Sequence, residues 1–150
     1  MKNFYNFFLK KKIKIYKSIF NNYKTIFCII RKKFYIFSYE ELLRQKIILY
    51  LILVKGYNIS NISVEEFLYI KNQIYKIDIL VKKNNYPYII IECKSPKIKI
   101  NNNNLNQILQ YGNILNNKYY LLTNSIDHII FKIKKTKLIF IKNFPKYKDI

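Results

Sequence analysis

An α/β fold, with a mixed central sheet flanked by helices and a β-hairpin ahead of it, is what this chain of 150 residues predicts. Three observations carry that expectation. Apolar runs of strand length are interrupted by two longer helical stretches, in the order hairpin, helix, strands, helix, strands. Hydrophobic residues make up 51% of the chain, which excludes disorder and is enough to build a core. Finally, two strand-like runs each enclose a carboxylate, Asp78 within Lys76–Val81 and Glu92 within Ile89–Lys94, in a chain with only 8 Asp and Glu against 28 Lys and Arg.

Residues 1–22 are rich in lysine and aromatic side chains and lack turn or cap signals. They read as a poorly ordered arm or a loosely packed helix, either a solvated tail or an arm that contacts nucleic acid. The folded domain is expected over residues 23–150. Between Tyr23 and Phe37 two apolar segments flank Arg31-Lys32-Lys33, which is the pattern of a hairpin. Ser38 and Glu41 form a capping-box pattern, so a helix is expected from Tyr39 to Val54, with Gly56 ending it. Leu42, Leu43, Ile47, Leu49, Tyr50 and Leu53 are its expected core residues. Strands are expected over 63–70, 75–82 and 88–94, the last two joined by a polar turn at Lys83–Pro87. Asn101–Asn104 reads as a loop, Leu105–Leu115 as a second helix, and 119–123, 128–132 and 138–141 as closing strands.

The formal net charge of +20 points to a polyanionic partner, DNA above all, with an anionic membrane surface as the alternative. Part of that charge reflects codon bias. Usage is skewed to Lys, Asn, Ile, Tyr and Phe, the residues of A/T-rich codons, and the only arginines are Arg31 and Arg44. Lys10-Lys11-Lys12 cuts short any signal-peptide core. The longest apolar run, Ile47–Val54, is far below the roughly 20 residues needed to span a bilayer. Cys28 and Cys93 are therefore expected as free thiols in a soluble, cytoplasmic protein without a membrane partner. They lack zinc-site spacing, and His128, the sole histidine, reads as a structural residue.

The acids in the apolar strands carry the chemistry. A buried carboxylate must be compensated. With a turn centred near Asn85, Asp78 and Glu92 fall roughly opposite each other on adjacent strands, close enough to share one cation. Mg²⁺ (or Mn²⁺) suits such a pair, because it binds through carboxylates together with water and phosphate. The backbone carbonyl of Cys93 is a further candidate ligand. Lys94 lies two residues beyond Glu92 and so projects from the same face of the strand. Metal, two acids and a lysine suit phosphodiester hydrolysis. The plainer alternative is an ordinary hairpin with a cross-strand salt bridge.

The surrounding residues resemble a known pattern. Asp78 with Glu92-Cys93-Lys94 resembles the D…(D/E)xK signature of the PD-(D/E)xK nuclease superfamily. Glu40-Glu41-Leu42-Leu43-Arg44-Gln45 resembles an EE-x-x-RQ helix start, and Lys55-Gly56-Tyr57 the KGY that ends the helix. Gln107 and Tyr111 resemble Q-x-x-x-Y, and Leu121-Leu122-Thr123-Asn124 a strand ending in TN. Together these resemble the N-terminal nuclease domain of type I restriction enzyme R subunits, in a compact stand-alone form, over roughly residues 23–148. The resemblance implies a restriction-endonuclease-like core and a metal-dependent endonuclease. Asp78 and Glu92 would bind metal, and Lys94 would be catalytic. Glu41 would complete the metal shell, although Glu40 is adjacent and can take that place, and N-capping alone also accounts for Glu41. Gln107 and Tyr111, on one helix face, would reach Lys94 or a phosphate, or would simply be surface residues. Ile77, Tyr39 and Ser125 depart from the pattern, the last standing where a glycine follows TN. No G-x-x-x-x-G-K-[ST] occurs, so motor function would need a separate motor or specificity subunit. A non-catalytic nucleic-acid-binding module of the same fold, and a nuclease of repair or recombination, are the alternatives.

Overall fold

A computed structural model describes residues 7, 10, 12–18, 22–70, 72–115, 117–134 and 137–149, with the backbone alone described at 70, 111–114 and 149. It is a mixed α/β structure built on a six-stranded sheet whose strands lie in chain order, with a separate three-stranded sheet at the N-terminal end.

The N-terminal sheet contains the expected hairpin, β2 (Lys24–Cys28) and β3 (Lys33–Ile36), in antiparallel register. It also contains β1 (Ile15–Lys17), which lies in the stretch expected to be an arm and pairs antiparallel with β2. Ile26 and Cys28 project from β2 into the interior at 0% exposure and anchor this sheet. Further upstream, Phe7 sets its ring edge-on to Tyr50, with centroids 5.5 Å apart.

Helix α1 (Tyr39–Leu53) begins where Ser38 caps it, the Ser38 hydroxyl accepting the backbone N–H of Glu41 at 3.0 Å. Only that half of the expected capping box forms, because the Glu41 carboxylate bonds side chains of Arg31, Arg44 and Gln45 instead. Its buried apolar residues are Leu43, Ile47, Ile48, Tyr50 and Leu51. Ile48 and Leu51 thus take core positions expected of Leu49 and Leu53, and Leu53 is exposed. Past the helix, Gly56 adopts φ +76°, a left-handed conformation that costs glycine little. The chain then turns so that Lys55 Nζ donates to the Phe144 carbonyl at 2.6 Å, and Tyr57 packs on Tyr147. The KGY segment is therefore the dock for the C-terminal residues.

Strands β4 (Ile62–Ile70), β5 (Gln73–Lys83) and β6 (Tyr86–Cys93) form an antiparallel meander. The β5–β6 turn is tighter than expected: Asn84 and Asn85 alone span it, both at positive φ (51° and 66°), which asparagine tolerates. Ile79 pairs with Ile91, as a turn centre near Asn85 requires, and a bulge between Val81 and Lys82 reconciles that register with the shorter turn. Helix α2 (Asn102–Leu115) crosses over to β7 (Tyr119–Thr123), which lies parallel to β6. The asparagine run expected as a loop is this helix's first turn. Asn101 and Asn104 exchange backbone-to-side-chain hydrogen bonds at 3.2 Å each way, acting as a reciprocal cap. Strands β8 (His128–Lys134) and β9 (Lys137–Phe140) complete the sheet.

Each helix covers one face. Against α1 lie Ile79, Val81, Ile89, Ile91, Cys93 and Leu121. Against α2 lie Ile77, Leu80, Ile90, Tyr120 and Phe131, with Ile108 from the helix. Side chains that alternate along β6 and β7 thus fill both layers. The alternation breaks on β5 at Asp78, since Ile77 and Leu80 share one layer and Ile79 occupies the other. Among the described residues, no helix is long and apolar enough to cross a membrane.

Candidate functional site

The break at Asp78 positions the site. Asp78 follows Ile77, the last residue before the β4–β5 pairing skips one position, and precedes Ile79, where the β5–β6 ladder begins. Its side chain is released from the normal alternation and points toward the start of α1. Asp78 Oδ1 accepts from Arg44 Nη2 at 2.9 Å, and Oδ2 accepts from the backbone N–H of Cys93 at 2.7 Å. That second bond ties β5 to β6 at the point where Glu92 and Lys94 emerge.

Glu92 and Lys94 lie on the face covered by α2. Glu92 Oε1 accepts from Lys94 Nζ at 2.7 Å and from Gln107 Nε2 at 3.1 Å. Lys94 Nζ also donates to Gln107 Oε1 at 3.1 Å, so one amide from α2 joins acid and base into a triangle. Glu92 Oε2 is buried with no hydrogen-bond partner. Burial, reinforced by the Asp78 charge and opposed by Lys94, pushes the Glu92 carboxyl up to about 7. Burial works against the Lys94 ammonium, but Glu92, with Asp78 and Glu40 behind it, outweighs burial and leaves its pKa raised. The Cys93 thiol is fully buried and is pushed well up by that burial and by Asp78, so it is a neutral core group rather than a ligand.

The two helix acids divide. Glu41 is 5% exposed and is held by Arg31 Nη2 at 2.8 Å, by Gln45 Nε2 at 2.8 Å and by Arg44. Glu40 instead faces the site: burial and then Asp78 raise its carboxyl, while Arg44 and Lys94 oppose the rise. Glu40 is among the charges that act on both Glu92 and Lys94. The structure thus brings Glu40 into electrostatic reach of Glu92 and Lys94, while the Glu41 carboxylate is engaged by Arg31, Arg44 and Gln45. Tyr111 lies on α2, and its side chain is outside the described residues.

Sequence reasoning underweighted the arginines. Arg44 bonds Asp78, Glu41 and Glu40, and Arg31 bonds Glu41 and Glu65 while lying over the Tyr35 ring at 3.5 Å. Glu65, at φ +51° and opposite Asp78 where the β4–β5 pairing lapses on both strands, adds its carboxylate. The signal was available: in a chain with 28 basic residues, the only two arginines both converge on this cluster. A planar guanidinium can bridge several carboxylates where an ammonium cannot. The expected alternative, a salt bridge across the hairpin, is not what forms; Asp78 pairs with a helix arginine, and Glu92 with the lysine of its own strand.

The donor set suits a hard divalent cation. The open, buried Glu92 oxygen and the raised Glu92 carboxyl both mark a place short of positive charge, and Asp78 stands beside it. Among the described residues, no group of three or more His, Cys, Asp or Glu side chains is gathered to hold a metal by itself. A carboxylate pair completed by water and phosphate is the ordinary arrangement for Mg²⁺.

Comparison with known proteins bears on the same elements. Neither a search of curated proteins nor a search of solved structures returns a match. The family model described as type I restriction enzyme R protein N terminus matches residues 39–145, from the first residue of α1, through Asp78, Glu92, Lys94 and Gln107, to the segment docked on Lys55 and Tyr57. The match spans well over half of the 150 residues, and the chain belongs to the family of the type I restriction enzyme R protein N terminus.

Proposed function

We propose that the protein is a metal-dependent DNA endonuclease of the PD-(D/E)xK type, hydrolysing phosphodiester bonds with Mg²⁺ or Mn²⁺ held by Asp78 and Glu92. The observation that carries this reading is the Glu92 carboxylate, buried beside a second buried acid, with one oxygen bonded to Lys94 and Gln107 and the other open. Family membership supports a nuclease-type role. The Cys93 carbonyl is a further candidate donor, and Glu41, or Glu40 beside it, is the candidate helix carboxylate. When bound, the cation would supply Lewis-acid stabilisation of developing negative charge and a more acidic water. The chain's own residues do the positioning. Gln107 holds Lys94 against Glu92, so the ammonium sits where it can meet a phosphate oxygen or orient a nucleophile. Arg44 and the Cys93 N–H fix both oxygens of Asp78. A separate motor or specificity subunit is the partner that a restriction role implies.

Purified protein incubated with plasmid and linear DNA in Mg²⁺ or Mn²⁺ will cleave it. Lys94→Ala will lower the rate by roughly 100-fold or more, the usual effect of removing a charge-stabilising donor. No cleavage, or equal cleavage by the variant, overturns the proposal.

One observation favours a second reading, a non-catalytic nucleic-acid-binding module. Both site acids already have protein cations, Arg44 on Asp78 and Lys94 on Glu92. Calorimetric titration with Mn²⁺ separates the two: binding that Asp78→Asn abolishes belongs to the enzyme, and absence of binding belongs to the module.

A further inference from the structure

The N-terminal sheet lies ahead of residue 39, outside the matched segment, and nothing in the nuclease reading uses it. One face of it, through Ile26 and Cys28, is buried in the interior. The other is open. The register sets Tyr16, Thr25 and Ile36 side by side, with Phe27 opposite Phe34 two residues along on the same face. Phe34 is 56% exposed, Ile36 69% and Tyr16 38%. The three rings form one cluster: Tyr16 and Phe34 have centroids 5.2 Å apart, and Phe27 and Phe34 5.1 Å. Soluble proteins seldom leave such a face bare without a partner for it.

Charge identifies that partner. The first acid in the chain is Glu40, so everything before it is uniformly basic. Lys14 is exposed, and its Nζ sits 4.9 Å from the centre of the Tyr16 ring on the open face. Lys17, Lys24 and Lys33, also exposed, project from the opposite face at the ends of the strands, alongside Ile26 and Cys28. An ammonium set on a cluster of exposed rings, in a segment whose charges are all positive, matches a polyanion that carries flat apolar groups. Duplex DNA offers phosphates but hides its base faces in the stack. A single strand offers both.

We propose that this sheet is a binding platform for single-stranded nucleic acid, with bases stacking on Tyr16 and Phe34 and a phosphate on Lys14. The platform is separate from the Asp78–Glu92 site and functions without metal, so it stands or falls independently of cleavage.

Fluorescence anisotropy in EDTA, where no hydrolysis can occur, tests it with a labelled oligothymidylate and a duplex of equal length. Wild-type protein will bind the single strand more tightly than the duplex. Tyr16→Ala combined with Phe34→Ala will weaken single-strand binding by roughly 10-fold or more and leave duplex binding nearly unchanged. Tyr16→Phe with Phe34→Tyr, which keeps both rings, will bind like wild type. Lys14→Gln removes the ammonium and keeps every ring, and it provides a second test should the alanine pair misfold: it will weaken single-strand binding and flatten its salt dependence. Duplex bound as tightly as single strand, or single-strand binding untouched by both the alanine pair and Lys14→Gln, overturns the proposal. So does binding to anionic vesicles that the alanine pair abolishes while the oligonucleotide is unaffected.

Discussion

Glu40 and Glu41 are neighbours in sequence, yet their removal should break different things. Glu41 is buried against Arg31, Arg44 and Gln45, so Glu41→Gln takes a buried carboxylate partner from both guanidiniums. Urea denaturation should register a loss of about 3–5 kcal/mol. Glu40, half exposed and 3.3 Å from Arg44, should cost under about 1 kcal/mol on the same change. Equal losses would contradict the division of labour between them. His128 offers a pH test free of the acid cluster. Its Nδ1 lies 2.6 Å from the Thr123 hydroxyl, and burial, against the opposing Asp127 charge, holds its imidazole down at about 4. Because the folded value lies below the ordinary 6.5, this residue's contribution to stability is complete above pH 6.5 and is lost as the pH falls through 4. As the only histidine, it gives a single imidazole resonance, whose titration midpoint should fall near 4; a midpoint near 6.5 would refute the assignment. At this scale the sequence was partly legible. Asp78, Glu92 and Lys94 stood out because acids are scarce. Which of Glu40 and Glu41 is buried did not, since adjacent helix residues differ by about 100° in direction and only the docked helix says which one turns inward.

Turns and element ends decide the next scale. After β7, Asn124 is buried and accepts the N–H groups of Ile126 and Asp127 while donating to the Ile98 carbonyl. Ser125 between them stands at φ +72°, where a residue with a Cβ is strained. Ser125→Gly should therefore stabilise the fold by roughly 0.5–1 kcal/mol, the relief of strain less the extra backbone entropy of glycine. Thermal and urea midpoints that fall instead would show that the serine side chain supports the turn. Long periodic elements could be read directly: α1 ends within one residue of its expected limit, and the register of β5 on β6 follows from the turn between them. Two elements could not. At three residues, β1 is too short to show alternation and exists only because β2 offers it an edge. The first turn of α2 was hidden in an asparagine run whose composition says loop but whose side chains cap one another.

For the molecule as a whole, distribution of charge matters more than its sum. Five of the eight acids, Glu40, Glu41, Glu65, Asp78 and Glu92, lie within one connected network, while the net charge is +20. A strongly positive exterior thus surrounds one carboxylate-rich cluster, the arrangement that the proposed attraction of a polyanion would need. The left-handed backbone of Glu65 has a consequence of another kind. Strand β4 is the rim of the six-stranded sheet, nine residues long, with Phe67 and Tyr69 bare. A straight rim of that length invites a second copy of the chain to add itself on, and the left-handed residue, where pairing with β5 lapses, interrupts that template midway. A substitution that straightens the strand there should loosen the hold of Glu65 on Arg31 and, in the same stroke, expose an adhesive edge, so a weakened centre and a tendency to precipitate should arrive together, which light scattering of the variant checks.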